Sequence, residues 1–273
     1  VVPVAGETFG TPAVYGHDRL FVRLRDAGDD QEARRDAGVA ALGAWPSATL
    51  TFPEPHALGA EFMRWEIATA IAGALLEINP FDEPNVQQAK DATKVLLGAH
   101  ARDGHFPAKD ADSAAHGAAY TLTTAARKPL QGRPATSVLS LIGDGDYVAV
   151  LAYLGPDPDV ADVLHRFRMG IRDGSGAATM AGYGPRYLHS TGQLHKGGAN
   201  NGVFIIITTT YADDLPIPDQ PFSFATLEMA QAQGDFNSLE ATGRRGLHVH
   251  LPTPEAAALE AALQPLLAAL TRD

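Results

Sequence analysis

The side chains best suited to chemistry are concentrated in one glycine-rich stretch, residues 182–202, directly before a strongly apolar run. Its candidate site residues include a guanidinium, an ammonium, two imidazoles, an amide and two hydroxyls, from Arg186, Lys196, His189, His195, Gln193, Ser190 and Thr191. Cations, hydroxyls and backbone amides can hold a phosphoryl group, and histidine can move a proton near neutral pH. The stretch predicts a substrate-binding loop with His189 and His195 as catalytic residues. The alternative is an ordinary solvated loop.

A second pair of charged residues, Glu83 and Lys90, is separated by seven positions. Seven residues are close to two turns of a helix, so both side chains are expected on nearly the same face. A lysine there supplies a compact positive charge for an anionic oxygen of a ligand. The alternative is a solvated charge pair on a helix surface.

Strands and helices alternate along the chain. Strands are predicted at 20–25, 48–52, 120–124, 147–154, 177–181, 203–209 and 246–251, and helices at 29–44, 58–76, 84–99, 157–172, 223–233 and 254–270. This order predicts an α/β fold with parallel sheets. The helix over 58–76 is expected to bury Phe62, Trp65, Ile67 and Leu75. A polar, Ala/Gly/Pro-rich stretch predicts a linker over 101–137 between domains at 1–100 and 138–273.

Residues 58–90, LGAEFMRWEIATAIAGALLEINPFDEPNVQQAK, carry a distinctive pattern. They resemble the last active-site segment of phosphoglucose isomerases. The match runs without a gap over Leu58, Gly59, Trp65, Glu66, Gly73, Ile78, Asn79, Phe81, Asp82, Val86 and Lys90. Residues 182–202 and 214–245 resemble the tail of the phosphoglucose isomerase half of fused transaldolase/phosphoglucose isomerase proteins.

The resemblance implies a sugar-isomerase (SIS-type) parallel-sheet domain followed by a second α/β domain. It implies interconversion of glucose 6-phosphate and fructose 6-phosphate without a cofactor, with Lys90 assisting ring opening. Glu83 stands where the family has a substrate-binding Gln. The base and the phosphate loop of the family have no match before Leu58, so an upstream sugar-isomerase domain, on the same or another chain, is expected to complete the site. A homodimer is also expected.

Bulk composition narrows the class of protein. The chain has 273 residues, a net charge of −11 and no cysteine. Such a charge disfavours nucleic acid and anionic membranes as partners, and the lack of cysteine fits a cytoplasmic protein. No leader or membrane span is predicted, although the chain starts without Met, as a piece of a longer protein would.

Three other interpretations stay open. The chain can be a non-catalytic sugar-phosphate-binding module, as related sugar-isomerase domains are, or a fragment of a bifunctional transaldolase whose Schiff-base lysine lies upstream. A metal site on His248 and His250, with His189 or His195 as a third ligand, is a weaker alternative. Glu66 is interpreted as a buried structural carboxylate near Arg64.

Overall fold

The computed structural model describes residues 1–26, 32–43, 45–52, 54–82, 84–107 and 110–270. The chain has an α/β fold, as predicted. It divides into two compact units, a large unit of Val1–Thr8 and Pro84–Asp273 and a small unit of Phe9–Glu83. No helix within the described ranges is long and apolar enough to cross a membrane.

The small unit begins with the predicted strand–helix–strand step. Its elements are β1 (Phe21–Asp26), α1 (Glu32–Leu42), β2 (Ser47–Phe52) and α2 (Leu58–Leu76). The two strands are parallel and form a two-stranded sheet. A two-stranded sheet is marginal by itself, and parallel sheets are normally covered on both faces. The small unit therefore has less internal packing than an independent α/β domain.

Helix α2 has the predicted bounds, but its predicted buried face is wrong. Phe62, Trp65, Ile67 and Leu75 are 61%, 44%, 53% and 80% exposed. The physical reason lies in the pattern, because α2 is apolar on all sides and its sequence does not single out one inner face. Glu66 is also exposed, whereas Glu61 is buried and pairs with Arg64. The buried-carboxylate interpretation therefore belongs to Glu61.

The large unit contains a six-stranded sheet in the order β3-β4-β8-β7-β5-β6, in which the last four are parallel. The strands are β3 (Ser113–Ala115), β4 (Ala118–Leu122), β5 (Tyr147–Ala152), β6 (Ala178–Tyr183), β7 (Gly202–Thr209) and β8 (Arg245–Leu251). The helices are α3 (Pro84–Asp103), α4 (Thr124–Leu130), α5 (Pro158–Ser175), α6 (Gly192–Gly197), α7 (Phe224–Ala241) and α8 (Ala256–Leu267).

Two hydrophobic layers cover the two faces of this sheet. On one face, Val148 and Val150 of β5 pack with α4, α5 and α8; on the other, Ala149 and Leu151 pack with α7. Every residue of β7 is buried, as expected for the β-branched run of a central strand. The helix that follows β5, α5, covers one face of the sheet, and the helix that follows β7, α7, covers the other. Ligands of open α/β sheets bind outside the carboxyl ends of strands near such a reversal.

The predicted linker over 101–137 is corrected by the structure. It contains part of α3, then β3, β4, α4 and the start of a 3-10 helix at Ala135–Leu141, and Tyr120, Leu130 and Ala135 are fully buried. Thr123 fixes this segment to the sheet, because its hydroxyl donates to the carbonyl of Arg244 and accepts from the amide of Gly246. The division between units falls at residue 84 instead of residue 100. Small alanines, which suit tight packing as well as loops, concealed these elements.

Candidate functional site

The predicted glycine-rich loop closes a pocket of about 210 Å³ at the carboxyl ends of β5 and β6. The strands contribute Leu151 and residues 180–183, and the loop contributes Arg186, Tyr187, Ser190, Thr191 and His195. The structure thus brings four of the predicted site residues, Arg186, Ser190, Thr191 and His195, to one cavity. None of the described residues that line it is a carboxylate.

Close backbone packing shapes the loop. After β6 it forms a 3-10 helix at Arg186–His189 and then α6. A Cβ at Gly182 would lie 2.6 Å from Cβ of Tyr187, and one at Gly184 would lie 2.5 Å from the ring of Tyr153. Both glycines are required because larger residues would push the aromatic rings out of the core. The glycine signal in the sequence therefore reflects packing around the pocket.

His195 is almost completely buried, at 1% exposure, and both ring nitrogens face hydroxyls. Nδ1 lies 3.1 Å from the hydroxyl of Tyr147, and Nε2 lies 3.0 Å from Oγ1 of Thr191. Burial, with a smaller effect of the Lys196 ammonium, lowers the pKa of His195 to about 4. The imidazole is therefore neutral at neutral pH, and it reaches the pocket beside the Thr191 hydroxyl.

Lys196 lies behind the pocket, where it forms an ion pair with Asp235 of α7. The two side chains are 2% and 0% exposed. Burial lowers the pKa of Lys196 and raises that of Asp235, because the low-dielectric interior disfavours each charged form. Lys196 is not a lining residue of the pocket, so its predicted contact with substrate becomes a structural contact with α7.

Arg244 completes this buried cluster. Its Nη2 donates to the carbonyls of Lys196 and Gly198, at 2.6 and 2.7 Å, and thereby satisfies the end of α6. Its Nε and Nη1 have no hydrogen-bond partner among the described residues. Arg244 is thus a second buried basic residue next to Lys196. In the pocket itself, Arg186 supplies a positive charge in a chain of net charge −11, which favours an anionic ligand.

Gln193 anchors α6 to α3. Its Oε1 accepts the backbone amide of Asn85 at 3.2 Å, and its Nε2 donates to Oδ1 of Asn85 at 2.9 Å. The first amides of a helix lack intrahelical partners, so Gln193 caps α3 from a distant part of the chain. The predicted substrate contact of Gln193 is replaced by this cap, which uses both ends of its amide. The contact links the glycine-rich loop to the segment that ends at Lys90.

The remaining predicted residues lie at the surface. Arg186, His189 and Ser190 are exposed, and His189 does not line the pocket. Lys90 is also exposed, is not a lining residue of the pocket and has no ion pair with any described residue. Glu83 lies outside the described residues. The structure therefore does not bring Lys90 together with His195.

The strand histidines His248 and His250 share one face of β8, as predicted. Oγ1 of Thr208 lies 2.7 Å from Nε2 of His248 and 2.8 Å from Nδ1 of His250. Their described partners are hydroxyls, and no group of three metal-ligating side chains occurs within the described part of the chain. This arrangement is a hydrogen-bonded pair on a half-buried sheet surface.

Sequence reasoning missed Tyr147, Asp235 and Arg244. Tyr147 is the first residue of a buried strand, and Asp235 follows a glycine in the middle of α7. Each has an ordinary structural interpretation in isolation. Asp235 is one of three acidic residues of α7, with Glu228 and Glu240, and its polar sequence neighbours give no signal that distinguishes it.

No family model and no curated protein matches the chain. Among solved structures, it is similar to a hypothetical protein from Thermus thermophilus, with 14% sequence identity and a TM-score of 0.45. That alignment covers 95% of this chain and 66% of the other.

Proposed function

We propose that this chain is the carboxy-terminal portion of a glucose-6-phosphate isomerase, with an SIS-type first part, and that it acts in the cytoplasm. The observation that carries the proposal is the gapless likeness of residues 58–90 to the phosphoglucose isomerase segment. We assign Lys90 to the ring or enediolate oxygen in a site that the upstream domain completes, and the pocket of Arg186, Ser190 and Thr191, which Lys90 does not line, to a phosphoryl group. The base comes from an upstream sugar-isomerase domain.

Two structural features support a site that needs a further polypeptide. Helix α2 exposes large apolar side chains on several sides, among them Phe62, Ile71 and Leu75. Contiguous exposed apolar surface of this kind marks interaction sites. Lys90 is solvent-exposed without a described anionic partner, so its ammonium is available to a ligand. A homodimer would provide the same half on a second chain.

The test is reconstitution. The intact reading frame upstream of Val1 is expressed with this chain, and conversion of fructose 6-phosphate to glucose 6-phosphate is followed by a coupled assay. Lys90→Ala is expected to lower kcat/KM by at least about tenfold, because a positioned cation at a developing oxyanion contributes of the order of 2 kcal/mol or more. Lys94→Ala, one turn further along α3 and similarly exposed, is the matched control and should retain full activity.

A second candidate function is a non-catalytic sugar-phosphate-binding module. The absence of a carboxylate from the described pocket lining favours it for the isolated chain, since aldose–ketose isomerisation needs a base. Calorimetric titration with fructose 6-phosphate separates the two functions. Binding without turnover, with and without the upstream half, would support the module and exclude the isomerase.

A further inference from the structure

The donor and acceptor in each hydrogen bond of His195 can be assigned from the number of protons that the groups carry. The Tyr147 hydroxyl is buried, and burial raises its pKa to about 12, so the phenol keeps its proton. Nδ1 of His195 is the acceptor that the described structure offers this hydroxyl. A buried hydroxyl with no acceptor would cost free energy, because no water is present to accept its proton in a hydrogen bond. Tyr147 therefore donates to Nδ1.

The neutral imidazole has one proton, and it must then reside on Nε2. Nε2–H donates to Oγ1 of Thr191, which lies 3.0 Å away. The hydroxyl proton of Thr191 is consequently not used within this chain of bonds. Thr191 lines the pocket, so its O–H is left to donate to a ligand.

Of the two polar neighbours of Thr191 in the pocket, Arg186 shares the preference for a hydrogen-bond acceptor and Ser190 does not. The hydroxyl of Ser190 donates to the carbonyl of Tyr187 at 3.1 Å, so its proton is already used. The guanidinium of Arg186, which also lines the pocket, has donors only. Arg186 and Thr191 together suit an anionic oxygen, and the absence of described carboxylates from the lining leaves that charge unopposed.

We infer that Tyr147 is a positioning residue that acts through His195 to fix the Thr191 hydroxyl as a hydrogen-bond donor to a phosphoryl oxygen in this pocket. This inference rests on the proposed function for the identity of its ligand, a sugar phosphate. It assigns His195 an indirect role, because both ring nitrogens are already engaged by hydroxyls. The relay extends the site to the first residue of β5.

The direct test is the tautomer of His195, measured by long-range nitrogen–proton NMR on the full chain. The wild-type protein should show the Nε2–H form. Tyr147→Phe withdraws the donor from Nδ1 and should give a mixture of tautomers. Tyr120→Phe is the matched control: it also removes a buried tyrosine hydroxyl, bonded to the carbonyl of Ala262 at 3.0 Å, but on the opposite face of the sheet. It should leave the tautomer unchanged.

Calorimetry with inorganic phosphate and with fructose 6-phosphate tests the ligand. Thr191→Val should weaken binding of either by about tenfold to a hundredfold, because a hydrogen bond to a charged oxygen is lost. Tyr147→Phe should weaken it severalfold at unchanged fold, as judged by circular dichroism. Tyr120→Phe should bind like the wild type.

The outcomes separate the relay from the proposed function. An Nδ1–H tautomer in the wild type, or phosphate affinity unchanged in Thr191→Val, overturns the relay. If Thr191→Val binds fructose 6-phosphate with the affinity of the wild type, the relay is overturned and the proposed function is not. Phosphate binding that requires Thr191, in a protein with no affinity for fructose 6-phosphate, supports the relay and counts against the proposed function.

Discussion

Breaking the buried ion pair behind the pocket should have a large and specific effect on stability. Asp235→Asn removes the charge that compensates Lys196, and the two side chains are 0% and 2% exposed, so solvent cannot screen the ammonium left behind. Leaving a buried charge unpaired costs about 3–5 kcal/mol. In a unit of this size, each kcal/mol lowers Tm by about 2–4 °C, so we expect a decrease of about 6–20 °C.

The two units can be followed separately in this experiment. Both tryptophans, Trp45 and Trp65, belong to the small unit, whereas six of the seven tyrosines belong to the large unit. Tyrosine near-UV circular dichroism should therefore show the shift in urea or thermal unfolding, and tryptophan-selective fluorescence should show the small unit unfolding as in the wild type. The double variant Lys196→Met/Asp235→Leu removes both charges and should recover most of the loss or exceed wild-type stability.

A small effect would refute the charge argument. If Asp235→Asn costs less than about 1 kcal/mol, the pair is neutral in the folded protein, because an amide replaces an uncharged carboxylic acid at little expense. Burial favours the neutral form of both partners, so this outcome has a definite physical meaning. A double variant that is as unstable as Asp235→Asn would show that side-chain volume, and not charge, determines the result.

Three further predictions concern neighbouring features. Burial lowers the pKa of His195 to about 4 in the folded protein, against about 6.5 in the unfolded chain. The unfolded state therefore binds more protons between these pH values, and the free energy of unfolding falls as the pH drops through this window. In urea unfolding, the wild type should lose about 3 kcal/mol over this window relative to His195→Gln. Gln193→Ala should destabilise the start of α3 by about 1 kcal/mol and speed amide hydrogen exchange at Asn85. The control Gln87→Ala removes an exposed hydrogen bond to Asp91 and should leave the exchange rate at Asn85 unchanged. Equal exchange rates in the two variants would refute the cap. Phe62→Gln on exposed α2 should change the free energy of unfolding by less than about 1 kcal/mol. Leu42→Ala, at a residue that is 3% exposed, should lower it by about 2–5 kcal/mol. Tryptophan fluorescence measures both, and a large loss for Phe62→Gln would mean that α2 is buried.

Long apolar runs bounded by turn residues were predictable as regular elements from the sequence. Helix α2 has the predicted limits at Leu58 and Leu76, and the strand predicted over 203–209 is β7, Gly202–Thr209. Burial was not predictable from an apolar run alone. The run in β7 is apolar throughout and fully buried, whereas α2 is equally apolar and mostly exposed. Local pattern determines the element, but its neighbours determine whether it is covered.

The site was predictable in composition and not in the roles of its residues. Residue types identified Arg186, Ser190, Thr191 and His195, which meet at one pocket. Lys196 and Gln193 have the same apparent suitability in the sequence, yet one pairs with Asp235 and the other caps α3. Their partners lie 39 and 108 positions away in sequence. Only the fold determines which polar groups use their hydrogen bonds internally and which keep them for a ligand.

This internal use of hydrogen bonds explains how a six-residue helix can hold a pocket in place. Isolated helices as short as α6 do not form, because nucleation is more unfavourable than so few hydrogen bonds can offset. Gln193 ties α6 to α3, His195 ties it to β5, and Lys196 ties it to α7. These three contacts point in different directions, so removing one leaves two. Pocket affinity should therefore decline in steps as they are removed, whereas loss of all affinity with any one of them would show that this residue itself binds the ligand.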